Sequence, residues 1–295
     1  MLRHALLPMG PRGSVAPFRI GVTIWSLGLT RSWSDLERQL STAREVGVEG
    51  VQLWAVDYGP LPGGGEPCLL DPDRCGRDCR RRVVELVESY GLKISGLCAQ
   101  LSSPRRFGGL DDPEGLDLRV EKTCRVLEMA AEMGAPIVTT HPGLIPEDPR
   151  DPAYPVIRGA ILRVAKCAED VGAYFCIETG MEPARVLRRF LDDLGSPAVR
   201  VNYDPANLLR FGVEEVVRGV ELLGPWIAHT HAKDHNPRTG SATVGEGLVP
   251  WREYLAALRR AGFSGWLALE DETGRNVVES LKRGRAFLQR LMAEI

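Results

Sequence analysis

The chain has little of what marks a nucleic-acid binder, a secreted scaffold or a membrane protein. Its charges nearly cancel, with 37 Lys and Arg against 39 Asp and Glu and a formal net charge of −2. No excess positive field is left to condense onto a phosphate backbone, the term that dominates nucleic-acid affinity, so nucleic acid is excluded as a partner. Only seven cysteines occur in 295 residues, with no paired zinc-type spacing. Scattered in this way, they are expected to be free thiols in a reducing compartment, which points to the cytoplasm. Cys75 and Cys79, with Cys68 upstream, have no fourth ligand nearby and are expected to mark one helical face rather than a second metal. No Walker loop is present, because Gly63-Gly64-Gly65 is not followed by the Lys and Ser/Thr that complete one. The apolar run of residues 1–17 is broken by Pro8, Gly10 and Pro11, too short for a signal-peptide core or a membrane helix. These residues are expected to form a loose arm ahead of a catalytic domain over 18–295, with no membrane partner. The sequence leaves a homo-oligomer open.

What is present is a repeat of short apolar runs and amphipathic stretches. A hydrophobic content of 44% with 26% charged residues is ordinary for a globular protein, and a chain of this length buries most of its apolar surface without staples. From Phe18 onward the runs FRIGVTIW, GVEGVQLW, LKISGLCA, APIVTTH, AYFCIE, AVRVNYD, WIAHTH and GWLALE read as strands. Helical periodicity separates them, as over 33–46, 77–90, 116–133, 156–171 and 183–194. Gly47, Gly91, Gly134, Gly172, Gly195 and Gly262 each sit just past a helical segment, where a left-handed C-cap suits glycine. Eight β-α units on a parallel sheet predict a single (β/α)8 TIM barrel in preference to an open doubly wound sheet. Its active site would lie at the C-terminal ends of the strands. Two long connections, 57–74 and 99–113, follow strands; they would overhang that mouth as a lid or run as plain surface loops.

Strands of a parallel barrel should be apolar, yet the last five end in ionisable groups: His141, Glu178, Asp204, His231 and Glu270. One acidic residue at a strand end is ordinarily a helix N-cap. Several on one rim need a common cause, because carboxylates that face each other in a closed mouth repel unless a cation neutralises them. Glu178, Asp204, His231 and Glu270 are therefore candidate ligands of one divalent metal ion. Three carboxylates and an imidazole form an oxygen-rich set that favours Mn²⁺ or Mg²⁺, while Zn²⁺ and Co²⁺ also accept it. Alternation places His229 on the same face as His231, one layer deeper, as a core or supporting histidine.

The runs CIETG, VNYDPANL, AHTHAKD, VGEG and LALEDE, with LRVEKTCRVLEMAAEMGAPIV before them, resemble the motifs of the sugar phosphate isomerase/epimerase family, the xylose isomerase-like barrels. In ketose 3-epimerases of that family a glutamate, an aspartate, a histidine and a glutamate end strands five to eight and bind one metal. These fall on Glu178, Asp204, His231 and Glu270. Where those enzymes carry a substrate-contacting histidine three residues after the aspartate, this chain has Asn207. The turn His141-Pro142-Gly143 resembles one in the related endonuclease IV barrels, but a chain with five histidines is a poor match to their three-metal site.

The resemblance implies an isomerase that acts on a ketose, keto-polyol or sugar phosphate through a metal-stabilised enediolate, with Glu178 and Glu270 as the proton-transferring pair. An inosose-type dehydratase would start from the same intermediate, and a barrel that binds a sugar without turning it over is the reading from a different class. Candidate substrate contacts are His141, Asn207, Glu182, Lys233, Trp25 and Trp54. Each has a plainer alternative: Glu182 as a first-turn helix acid, Lys233 as a solvated lysine, the two tryptophans as packing.

Overall fold

Eight parallel strands close on themselves in chain order, and the last pairs with the first. The computed structural model describes residues 18–56, 68–100 and 109–295. The strands are β1 (Arg19–Thr23), β2 (Gly50–Trp54), β3 (Lys93–Cys98), β4 (Ile137–Thr140), β5 (Tyr174–Glu178), β6 (Val199–Tyr203), β7 (Ile227–Ala232) and β8 (Trp266–Leu269). Each falls within one of the eight apolar runs of the sequence, except that β7 extends one residue past WIAHTH, to Ala232. The barrel closes where Arg19 pairs with Trp266 and Val22 with Leu269. Residues such as Val22, Val51, Leu97, Val138 and Leu267 are fully buried, as expected where helices cover a parallel sheet.

The helices are α1 (Trp33–Val46), α2 (Arg77–Ser89), α3 (Leu116–Glu132), α4 (Ala153–Val171), α5 (Ala184–Leu194), α6 (Pro205–Phe211), α7 (Val216–Leu223), α8 (Trp251–Arg260) and α9 (Val277–Glu294). Helix α1 starts at a capping box in which the Ser32 side chain accepts from the Asp35 N–H and Asp35 accepts from the Ser32 N–H. Helix α5 buries Val186, Leu187, Phe190, Leu191 and Leu194, a stripe at helical spacing in which each large side chain contributes about 1.5–3 kcal/mol. All six expected C-cap glycines have positive φ, from 63° at Gly195 to 82° at Gly47.

The expectation of free thiols throughout is corrected. Cys75 is disulfide-bonded to Cys79, and Cys124 on α3 to Cys167 on α4. Cys75 precedes the first residue of α2 and Cys79 lies in its first turn, so the spacing that read as one helical face brings their Cα atoms to 5.1 Å. The second pair is 43 residues apart and meets only because α3 and α4 pack together. Cys98 and Cys176 are free, and the Cys68 thiol donates to Trp54 O. Among the described residues no helix is long and apolar enough to cross a membrane. The arm over 1–17 and most of the two long loops, including Arg105 and Arg106, lie outside the described residues.

Candidate metal centre

At the C-terminal mouth β5 ends in Glu178, β6 runs into Asp204, β7 carries His231 and β8 runs into Glu270. All four side chains are buried, and each offers one ligand atom within 4.8 Å of the others. His231 Nδ1 lies 3.1 Å from Glu270 Oε2, 3.3 Å from Glu178 Oε1 and 3.9 Å from Asp204 Oδ2. Asp204 Oδ2 and Glu270 Oε2 are buried and accept no hydrogen bond. Two orphaned carboxylate oxygens beside an imidazole nitrogen are the donor set a divalent cation would satisfy, and leaving such acceptors dry is costly.

Each candidate ligand is held from outside the cluster. Asp204 caps α6: its Oδ1 accepts from Ala206 N at 2.9 Å and Asn207 N at 3.0 Å. The plain N-cap reading thus holds for Oδ1, while Oδ2 is left facing the cluster. Glu178 Oε1 accepts from Asn207 Nδ2 at 3.1 Å and lies 3.2 Å from His141 Nε2. Asn207 reaches it across Gly180, where φ is 131° and a Cβ would stand 2.4 Å from that of Asn207; only glycine permits this approach. Trp25 Nε1 donates to Glu270 Oε1 at 2.8 Å. Gln52 Oε1 lies 2.9 Å from His231 Nε2.

The charges are mutually adjusted. Burial alone would raise Glu178, but His141 and His231 outweigh it and hold the carboxyl well below its ordinary value. Burial likewise opposes ionisation of Glu270, yet Lys233 and His231 bring it down to about 2. Asp204 goes the other way: burial pushes it up, Lys233 offsets part, and the like charges of Glu178 and Glu270 add to the rise, to about 7. The protein's own cations therefore compensate two of the three carboxylates and leave the third under-compensated.

The remaining candidates are brought to the same mouth. Lys233 is not solvated, as its plainer reading had it. It is 6% exposed, with Nζ 3.0 Å from Glu272, 3.5 Å from Glu270 and 3.9 Å from Asp204. Glu182 is not a first-turn helix acid: it precedes Pro183, the N-cap of α5, and its burial pushes the carboxyl up to about 7. Trp25 and Trp54 meet edge to face with centroids 5.3 Å apart, and the Trp54 N–H is taken by Val56 O. His229 is a buried core histidine, 2.9 Å from Asn202 Oδ1 through Nδ1, and burial lowers it to about 3.

A model of the xylose isomerase-like TIM barrel matches residues 40–291. The chain belongs to the xylose isomerase-like TIM barrel family. Among its relatives is a 2-epi-5-epi-valiolone 7-phosphate 2-epimerase from Actinoplanes sp., 29% identical over 248 residues, covering 82% of both chains. A D-psicose 3-epimerase from Agrobacterium fabrum is 29% identical over 147 residues, 45% of this chain and 48% of the relative. Among solved structures, a xylose isomerase domain protein from Planctomyces limnophilus superposes with a TM-score of 0.76 at 21% identity, covering 95% of this chain and 98% of the other. An L-ribulose 3-epimerase does so at 0.71 and 19%, covering 94% and 95%.

Within this xylose isomerase-like barrel the motifs AHTHAKD and VGEG acquire a physical meaning that their spacing alone did not supply. Asp234 is 1% exposed and accepts from the backbone N–H groups of His235, Gly245, Gly247 and Val249 and from Trp251 Nε1, at 2.8–3.1 Å. A Cβ at Gly247 would stand 2.2 Å from Asp234 Oδ1. The loop from β7 to α8 is thus wrapped around one carboxylate. Alternation along β6 places Asn202 on the face of Asp204, beneath the rim, but sequence reasoning passed over Gln52 and Thr139. The available signal was a polar residue inside an apolar barrel strand, as in GVQLW.

Proposed function

We propose that the protein is a divalent-metal-dependent sugar epimerase or isomerase. Its substrate is a ketose, a keto-polyol or the phosphate of either, and it removes and returns a proton at the carbon beside the carbonyl. The observation that carries this reading is that Glu178 and Glu270 both lie against His231 Nδ1, at 3.3 and 3.1 Å, from strands three apart around the barrel. Carboxylates so placed reach a bound substrate from different faces, so one can take a proton and the other return it. Glu178, Asp204, His231 and Glu270 would hold the ion. When bound, it polarises the substrate carbonyl and acidifies the neighbouring C–H. Its oxygen-rich ligands favour Mn²⁺ or Mg²⁺ over Zn²⁺ or Co²⁺.

The other residues orient. Asn207 and His141 hold Glu178, Lys233 and Glu182 offer hydrogen bonds to hydroxyls, and Trp25 with Trp54 forms an apolar wall beside the metal. Two relatives named as epimerases, one for a valiolone 7-phosphate and one for D-psicose, support the reaction class. The test is incubation of the Mn²⁺-loaded protein in deuterated water with a panel of ketoses, their phosphates and inososes. Deuterium at the carbon beside the carbonyl, with an epimer or isomer formed, is the expected result. Loss of water would make the enzyme a dehydratase. No exchange with metal bound would leave a barrel that binds without turnover.

A further inference from the structure

We propose that Gln52 is a positioning residue that fixes His231 with its proton on Nε2, so that the Nδ1 lone pair faces the three carboxylates as a metal ligand. The inference rests on the metal-dependent reading above.

Gln52 lies in β2 and is fully buried, and a buried amide is costly unless both its ends are paired. Both are. Nε2 donates to Thr139 Oγ1 on β4 at 2.8 Å, and Oε1 stands 2.9 Å from His231 Nε2, 179 residues away. An amide carbonyl has no proton to give, so the hydrogen bond exists only if His231 Nε2 carries one. A neutral imidazole holds a single proton, and with it on Nε2 the other nitrogen is left with a lone pair. That nitrogen is the one within 3.1–3.9 Å of Glu270, Glu178 and Asp204.

Asn202 cannot make the same choice. Its Nδ2 is 3.4 Å from Nδ1 and 3.3 Å from Nε2 of His231, nearly equidistant from the two. Nothing else among the described hydrogen bonds reaches His231 Nε2 with an acceptor. Without Gln52 the neutral ring is free to keep its single proton on Nδ1 and donate it to the carboxylates, the tautomer that competes with a metal.

The test measures metal binding rather than turnover. Gln52→Met keeps the length of the side chain and removes the acceptor; Gln52→Glu keeps the acceptor. Titrated with Co²⁺, Gln52→Met is expected to bind 10- to 100-fold more weakly than the parent, the usual cost of losing the partner behind a metal-bound histidine, and Gln52→Glu to stay within about threefold. The melting temperature of metal-free Gln52→Met should stay within a few degrees of the parent. Equal Co²⁺ affinity in parent and Gln52→Met overturns the proposal, as does equal weakness in Gln52→Met and Gln52→Glu. A parent that binds no divalent cation sinks the metal reading itself, which is a different failure. One measurement needs no variant: imidazole ¹⁵N shifts in the Zn²⁺-loaded parent should place the metal on Nδ1 of His231 and the proton on Nε2, and metal on Nε2 overturns the assignment.

Discussion

The indole N–H of Trp25, just past β1, donates to Glu270 Oε1 at 2.8 Å across 245 residues of sequence. The bond commits one oxygen of Glu270 and leaves Oε2 turned towards His231 Nδ1 and Lys233 Nζ. An aromatic at this position thus does more than pack: the ring lies edge-on to Trp54 and to His231, while its nitrogen sets the rotation of a carboxylate.

Trp25→Phe keeps most of the ring and removes the donor. A hydrogen bond to a charged group contributes about 1.5–3 kcal/mol, so kcat/KM is expected to fall by about 10- to 100-fold. The circular dichroism spectrum should be unchanged. Steady-state kinetics on the first substrate found in the exchange panel checks this, and wild-type kcat/KM in the variant would return Trp25 to a packing role.

The cluster predicts close to one equivalent of divalent metal in the purified protein. Glu178→Gln, Asp204→Asn and His231→Gln each remove a ligand, and each is expected to weaken binding by at least about tenfold. The loss of charge at Glu178 or Asp204 adds to the loss of a donor. Elemental analysis after dialysis against a fixed metal concentration measures it; full occupancy in all three variants would end the ligand assignment.

The barrel was legible in the sequence because its signals are local. A strand buried on both faces must be apolar, and a helix that ends in a left-handed turn selects glycine, so eight runs and six glycines marked most of the boundaries. The rim residues were legible for a related reason: a carboxylate or imidazole at the end of an apolar run stands out against it. What stayed hidden depends on residues distant in sequence. Lys233 is buried because Glu270 and Glu272 compensate it, and nothing at position 233 announces that. Asp234 organises a loop whose donors lie 11–17 residues downstream. Cys124 meets Cys167 only through helix packing.

Removal of the metal should cost activity and leave the fold. The core is spread around the whole barrel, from Leu36 on α1 to Leu288 on α9, and the candidate ligands occupy one rim. Chelation should therefore leave the far-ultraviolet spectrum intact and lower the melting temperature by only what binding contributed, about 2.7 kcal/mol at a free metal concentration 100 times the dissociation constant. Cooperative unfolding on chelation alone would make the ion structural.

Glu182 predicts a pH dependence of stability. Burial raises its carboxyl to about 7 from an ordinary value of 4.5, so the folded protein holds this proton more tightly than the unfolded chain. Its contribution is fully present below pH 4.5 and is lost as pH rises through 7. Glu182→Gln has no proton to lose, so the variant should match the parent near pH 4.5 and melt higher above pH 7, by an amount whose upper bound is on the order of 3 kcal/mol. Parallel melting curves for the two proteins across this range would show that Glu182 ionises normally.

The sharpest prediction concerns the two glutamates separately. Glu178→Gln and Glu270→Gln should each abolish net epimerisation, because a proton taken from one face must be replaced from the other. They should not be equivalent in exchange. A single remaining carboxylate can still take a proton from its own face and return a deuteron there, so one variant is expected to wash deuterium into the starting sugar without forming its epimer. The surroundings indicate which. Glu178 Oε1 is crowded by His141, Asn207 and His231, whereas in Glu270 one oxygen is tied to Trp25 and the other is buried beside Lys233. The contacts of Glu178 fall on Oε1 alone, whereas both oxygens of Glu270 are engaged or buried, so Glu270→Gln is the variant expected to retain exchange through Glu178. Mass spectrometry of recovered substrate reads this directly. Exchange retained in Glu178→Gln instead would reverse the two roles, and complete loss in both with the metal still bound would mean that neither glutamate works without its partner.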